Sequence, residues 1–184
     1  MAKRVTPSPA RRIRYSIAMS LDGYIAGPHG ESDWIVMDPE IDFRALMNQF
    51  DTILLGRKTY DAMRSQKGGG GGMPGMKTYL FSRTLQQKDH PDVIVVSDNV
   101  SEVLNALKKQ PGKDIWLFGG GSLFASLLDA AVVDAVEVAV IPVLLGGGLP
   151  LLPSPAERAN LRLTKHRVYE KTGTVSLEYA PSAS

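Results

Sequence analysis

Leu54-Leu55-Gly56-Arg57-Lys58-Thr59 and Phe118-Gly119-Gly120-Gly121-Ser122 are the stretches on which the fold of this chain turns. In each, a short apolar strand pattern (Thr52 to Leu55, Ile115 to Phe118) stops at glycine. A helical pattern follows at once, Arg57 to Arg64 in one case and Leu123 to Ala131 in the other. Such a junction aims unpaired backbone N–H groups and the positive end of a helix at one spot, which suits an anion. The first junction adds two cations and a hydroxyl, and the second lacks the side chains that would keep a pyrophosphate away from the backbone. Alone, each reads first as a plain turn. Together they point to a dinucleotide. The glycines do not form G-x-G-x-x-G within one unit and no acidic residue is placed for a ribose hydroxyl, which argues against a Rossmann domain. Arg57, Lys58 and Arg83 are cations suited to a 2′-phosphate, favouring NADPH over NADH, although a solvated basic face is the alternative for Arg83.

Outward from these junctions, strands alternate with helices. Ile13 to Ser20 is a strand running into the turn Leu21-Asp22-Gly23, where Asp22 and Gly23 are assigned no task beyond the turn. Pro39 to Phe50 carries Phe43, Leu46, Met47 and Phe50 at helical spacing, which predicts one amphipathic helix. Further strands are expected at Thr78 to Phe81, Val93 to Val96 and Val136 to Val143, with a helix over Ser101 to Lys109. Leu161 to Tyr169 and Thr174 to Tyr179 alternate with period two and form an edge hairpin. The glycines from Gly68 to Gly72 predict a mobile surface loop. The whole is an α/β pattern with parallel strand pairs and helices on both faces of the sheet. Val136 to Val143 reads as an apolar strand, and an exposed apolar edge is usually covered; a homodimer is one way to cover it.

Composition narrows the classes. With 184 residues, 43% of them hydrophobic, the chain is expected to form one domain over 13–184, preceded by a flexible basic tail over 1–12. The net charge of +2 calls for neither nucleic acid nor membrane. No apolar run approaches the roughly 18 residues of a spanning helix, and the tail lacks a signal peptide's apolar stretch, so a cytoplasmic protein is expected. The absence of cysteine removes thiol chemistry, and His29, His90 and His166 share no metal-ligand spacing, so no metal is expected.

Ala18-Met19-Ser20-Leu21-Asp22-Gly23, Glu31-Ser32-Asp33-Trp34-Ile35, Leu55-Gly56-Arg57-Lys58-Thr59-Tyr60, the triple glycine before Ser122 and Ile141 to Leu151 resemble dihydrofolate-reductase-like domains, particularly the RibD C-terminal domain. The resemblance runs from Ile13 to Tyr179 and implies a three-layer fold with a mostly parallel central sheet and a C-terminal antiparallel hairpin. It implies a reductase similar to the 5-amino-6-(5-phosphoribosylamino)uracil reductase of riboflavin biosynthesis. Dihydrofolate reduction and a non-catalytic NADP(H)-binding module stand as alternatives. Ala18 and Trp34 would flank the nicotinamide, and Gly56, Arg57, Lys58 and Thr59 would hold phosphates. Ser82 and Arg83 would meet the 2′-phosphate, while Gly119, Gly120, Gly121, Ser122 and Leu123 would wrap the pyrophosphate. Ser32 would contact substrate. Met47 and Phe118 stand where the riboflavin enzymes carry an arginine and a glutamate, a departure on the substrate side. Folate enzymes place a carboxylate on the first helix. Of Asp38, Glu40 and Asp42, Asp42 is the candidate catalytic residue here, with a surface carboxylate that stabilises a helix end as the alternative.

Overall fold

The computed structural model describes residues 10–65 and 72–182. In chain order it has β1 (Ile13–Ser20), β2 (Tyr24–Ala26), α1 (Phe43–Met47), β3 (Phe50–Gly56), α2 (Arg57–Ser65) and β4 (Lys77–Phe81). There follow β5 (Ile94–Val96), α3 (Val100–Lys108), β6 (Asp114–Gly119), α4 (Gly121–Asp129), β7 (Ala135–Ile141), β8 (Leu149–Pro150), β9 (Leu161–Tyr169) and β10 (Thr174–Pro181). Eight strands form one sheet in the order β5-β4-β3-β6-β1-β7-β10-β9, and β2 pairs with β8 apart from it. The strands from β5 to β7 are parallel, and the β9–β10 hairpin is antiparallel.

The parallel strands are buried on both faces, which explains their near-continuous apolar sequence. On one face, Leu54, Leu117, Tyr15 and Val136 pack with Leu104 and Leu107 of α3 and with Phe124 and Leu127 of α4. On the other, Ile53, Leu55, Leu80 and Trp116 pack with Tyr60 and Met63 of α2 and with Leu46 and Met47 of α1. α2 and α4 thus lie on opposite faces although the strands that feed them, β3 and β6, are neighbours.

Three expectations are corrected. The helix expected over Pro39 to Phe50 is only Phe43–Met47: Asp42 caps it, Phe43 is 48% exposed, and Phe50 opens β3 and stacks on Trp116. An i, i+3, i+4, i+7 pattern is met here by a short helix plus the first residue of a strand. β7 is not an edge, because β1 and β10 flank it, and β9 is the edge on that side. The tail does not extend to residue 12: Arg11 is buried against Asp51 and Thr52, and Arg12 pairs with Asp114. Residues 1–9 and most of the polyglycine segment lie outside the described residues.

Candidate functional site

The two glycine junctions meet. β3 and β6 are paired in parallel with Leu55 opposite Gly119, so Gly56 and Gly120 leave the sheet side by side at its carboxyl-terminal edge. A Cβ on Gly56 would stand 3.6 Å from the Gly119 carbonyl oxygen and 3.7 Å from the Gly120 nitrogen, and one on Gly120 would stand 3.3 Å from the Thr59 hydroxyl. Because α2 and α4 leave on opposite faces, a crevice opens between their N-termini, the place where open α/β sheets take ligands. Gly120 is the N-cap of α4 and supplies no side-chain acceptor; its carbonyl takes the Leu123 and Phe124 N–H groups, which leaves those of Gly121 and Ser122 without an acceptor among the described residues.

Glycine is required here for two separate reasons. Gly119 has φ +129°, a conformation that other residues rarely adopt. Gly121 has ordinary backbone angles but no space: a Cβ would fall 2.8 Å from the Pro150 carbonyl oxygen and 3.0 Å from Pro153 Cδ. The segment after β8 is therefore laid across the first turn of α4.

Asp22 holds the loop that leads from β7 into β8. Its Oδ1 accepts from the Ser20 hydroxyl (2.6 Å) and from Leu145 N–H (3.1 Å), and its Oδ2 accepts from Gly146 N–H (2.7 Å). The Ser20 hydroxyl, then the Gly146 and Leu145 N–H groups, hold its carboxyl below the usual carboxylate range. Leu151 N–H donates to the Gly23 carbonyl, and β2 pairs with β8, so the turn after β1 and the segment after β7 form one unit. This work of Asp22, beyond making a turn, was not legible locally because Leu145 and Gly146 lie more than 120 residues away.

Beside the crevice, Arg57 on α2 donates to the Thr84 hydroxyl at 2.7 Å and lies 3.5 Å from Asp61 one turn on. Thr84 sits in the turn after β4, where Ser82 Oγ accepts from the N–H groups of Thr84 (3.3 Å) and Leu85 (3.2 Å). Arg57, Ser82 and Thr84 thus form one cluster, with Arg83 exposed on the same turn and Lys58 exposed beside Arg57. Thr84 was missed by sequence reading: nothing in its own neighbourhood signals an arginine 27 positions earlier.

The residues expected at the nicotinamide end, at the substrate and in catalysis lie on other elements. Ala18 is on β1 opposite Ala139 of β7. Trp34 and Ser32 lie between β2 and α1; Trp34 is half-buried with Nε1 donating to the Glu31 carbonyl at 3.1 Å, and Ser32 is exposed. Asp42 is exposed, and its carboxylate accepts from Ala45 N–H at 2.8 Å. Glu40 pairs with Arg167. Asp38 alone of the three carboxylates is buried. Burial pushes its carboxyl up, but Glu40 N–H, the Thr172 hydroxyl and backbone, and Lys171 outweigh that and hold it low. With Met37, Pro39, Ile41 and Phe43 it lines an open depression of about 400 Å³. Met47 and Phe118 both pack on the cluster around Phe50 and Trp116.

A mostly parallel sheet with a C-terminal antiparallel hairpin and this pair of glycine junctions defines a dihydrofolate-reductase-like fold. The dihydrofolate reductase of Enterococcus faecalis, solved with NADP(H) and RAB-propyl, superposes with a TM-score of 0.66 at 18% identity over 94% of this chain and 97% of its own. The chain matches the RibD C-terminal domain over residues 11–175 and belongs to that family. It is 39% identical to the uncharacterized protein YyaP of Bacillus subtilis, across 92% of this chain and 94% of YyaP. A putative riboflavin biosynthesis protein from Shewanella sp. PV-4 superposes with a TM-score of 0.75 at 25% identity, covering 95% of this chain and 99% of the other. No helix among the described residues is long and apolar enough to cross a membrane.

Proposed function

We propose that the protein is an NADPH-dependent reductase acting on a small heterocyclic or sugar-linked substrate. The observation that carries this reading is the convergence of the α2 and α4 N-termini on one crevice, with Gly56, Gly120 and Gly121 leaving the backbone bare and Arg57 braced beside it by Thr84. The donor set fits the cofactor. The N–H groups at the start of α4, with Ser122 and Leu123, would take the pyrophosphate, while Lys58, Thr59 and the α2 N-terminus would take further phosphate oxygens. Arg57, Ser82 and Arg83 would face the 2′-phosphate, and Ala18 and Trp34 the nicotinamide end. Solved relatives support the same choice: the Enterococcus reductase is complexed with NADP(H).

When bound, NADPH would supply the hydride; the chain supplies position and electrostatics. Asp22 fixes the loop that leads through β8 to the segment backing α4, and exposed Ser32 would contact substrate. Asp42 is exposed and engaged at the end of its own helix, which leaves it poorly placed to deliver a proton. With Met47 and Phe118 both packed on an apolar cluster, this face offers little to a phosphorylated ribose. A compact substrate therefore fits better than the riboflavin intermediate itself.

The test is a fluorescence titration with NADPH and NADH, repeated on Arg57→Ala. NADPH is expected to bind tighter than NADH, and the substitution to weaken NADPH by about 10-fold or more, the worth of one charge-assisted contact. Equal affinity for the two nucleotides would remove the 2′-phosphate assignment, and no binding of either would remove the reductase reading. NADPH consumption with pterin, aminopyrimidine and carbonyl substrates then separates an enzyme from a binding module.

A further inference from the structure

The turn that carries Ser82, Arg83 and Thr84 beside the crevice is held in place by residues outside it. Gln87 opens the 3₁₀ turn Gln87–Asp89 and stands alongside β5, an edge strand of the sheet. Its side-chain nitrogen donates to the His90 carbonyl (3.0 Å) and the Val93 carbonyl (2.8 Å), and its Oε1 accepts from Val95 N–H (2.9 Å). A side-chain amide offers the same donor and acceptor as a peptide, so Gln87 takes the place of one residue of a further parallel strand. His90, three residues on, has its Nδ1 2.9 Å from the Tyr60 hydroxyl, with the two rings edge to face at 5.4 Å. Tyr60 is buried on α2, directly after Thr59. The connection from β4 to β5 is therefore fastened to the sheet edge by Gln87 and to α2 by His90, while Arg57 reaches Thr84 from the first turn of the same helix.

We infer that Tyr60, Gln87 and His90 are positioning residues for NADPH selectivity, an inference that rests on reading the crevice as an NADPH site. They hold the Ser82–Thr84 turn at the spacing from α2 at which Arg57, Ser82 and Arg83 meet one 2′-phosphate. The turn is stiff in itself, because the Ser82 hydroxyl accepts from the N–H groups of Thr84 and Leu85, so it moves as a body. One end of that body is fixed by Ser82 N–H, which donates to the Val96 carbonyl at 3.1 Å; Gln87 and His90 fix the other. The apolar contacts that bury the connection come from Leu85 and Val93, which pack in the cluster around Tyr60. The polar bonds of Gln87 and His90 add direction to a segment that packing already anchors. Direction matters here because an anion that takes donors from two elements is recognised only while those elements keep their spacing, and charge-assisted hydrogen bonds are short.

Selectivity tests this, read as the ratio of the NADH to the NADPH dissociation constant from fluorescence titrations of the full chain. The two nucleotides differ in the 2′-phosphate, so a displaced turn lowers the ratio, whereas a general loosening of the fold weakens both alike. Tyr60→Phe keeps the buried ring and removes the hydroxyl, and Gln87→Ala removes the strand-like amide. Each should lower the ratio by about 10-fold while NADH affinity stays within about 2-fold of wild type. His90→Ala should do the same, and His90→Asn, which can return an acceptor to the place of Nδ1, should restore most of the ratio. If Gln87→Ala bares the β5 edge and aggregates, the Tyr60 and His90 variants decide. Folded variants that keep the wild-type ratio, or that weaken both nucleotides equally, overturn the inference and leave the cofactor site standing. A wild-type protein that binds neither nucleotide, or both equally, overturns the reading beneath it and the inference together.

Discussion

The two ends of the central sheet solve opposite problems with the same strands. At the amino-terminal edge, charge is abundant and satisfied within the chain. Arg14 holds Glu137 at 2.5 Å and Asp114 at 3.3 Å while lying over the Phe50 ring, Arg11 is buried on Asp51, and Lys108 holds Asp134 at 2.7 Å. At the carboxyl-terminal edge the same strands end in glycines, a bare helix N-terminus and exposed cations. The amino edge has satisfied its polar groups within the chain, whereas the carboxyl edge leaves Lys58 and Arg83 exposed and the first N–H groups of α4 bare. If that contrast is functional, substitutions at one end should move stability and leave binding alone, and those at the other should move binding.

The largest expected effect lies at the amino edge. Arg14→Met removes the shared partner of Glu137 and Asp114, both largely buried, and breaking such a group from one side costs about 3–5 kcal/mol. Urea unfolding should show that loss, with NADPH affinity of the folded protein within about 2-fold of wild type at low denaturant. A loss below about 1 kcal/mol would mean that this network is not what holds the edge together.

Gly121→Ala is the counterpart at the carboxyl edge. Its methyl group would meet the Pro150 and Leu151 carbonyls and Pro153, which are backbone or ring atoms without a rotamer to yield, so a cost of about 1–3 kcal/mol is expected. The same shift would move the first turn of α4, and NADPH affinity should fall by about 10-fold or more. An alanine variant with native affinity would uncouple α4 from the cradle and blur the distinction between the edges.

Protonation acts on both edges with the same sign. Burial pushes the Asp114 carboxyl up, but the Arg12 N–H, the Arg12 guanidinium and the Arg14 side chain outweigh that and hold it low; at the other edge, Ser20, Gly146 and Leu145 hold Asp22 low. A carboxyl whose folded value is depressed stabilises the fold fully above its unfolded value of about 4 and loses that contribution as pH falls through the lower folded value. Thermal midpoints should therefore fall as pH drops below about 4. Asp114→Asn should flatten that acid limb without altering NADPH affinity at neutral pH, whereas Asp22→Asn should flatten it and weaken binding, because Asp22 fixes the loop that leads through β8 to the segment behind α4.

Much of this contrast was legible in the chain itself, and the reasons differ by residue. β1 and β9 were readable to the residue because their patterns are uninterrupted and bounded by turns. Both glycine junctions were readable because each is local, a strand stop and a helix start within a few residues. The brief β2 and β8 left no pattern, since three and two residues set no period and each exists only through the other. Phe50 was assigned to the wrong element because spacing alone does not separate a helix position from a strand start. The cluster of Arg57 with Thr84, the hold of Asp22 on Gly146 and the burial of Arg11 all pair distant residues, and no local pattern encodes them.

The smallest expected effect settles to which edge one ambiguous residue belongs. Tyr15 is fully buried near the middle of the sheet, stacked on Phe124 of α4 at 3.9 Å, with its ring edge 3.8 Å from where a Gly119 Cβ would stand. Its hydroxyl is the one buried side-chain polar atom without a partner among the described residues, and burial pushes the phenol up. A buried hydroxyl that bonds nothing is a cost, so Tyr15→Phe keeps the stack, removes the cost and should leave stability unchanged or raise it by about 1 kcal/mol. If stability holds while NADPH affinity drops, the hydroxyl serves the carboxyl edge, its partner arriving with the cofactor. If stability itself falls, the phenol has a partner within the folded chain and belongs with the self-satisfied polar groups of the amino edge.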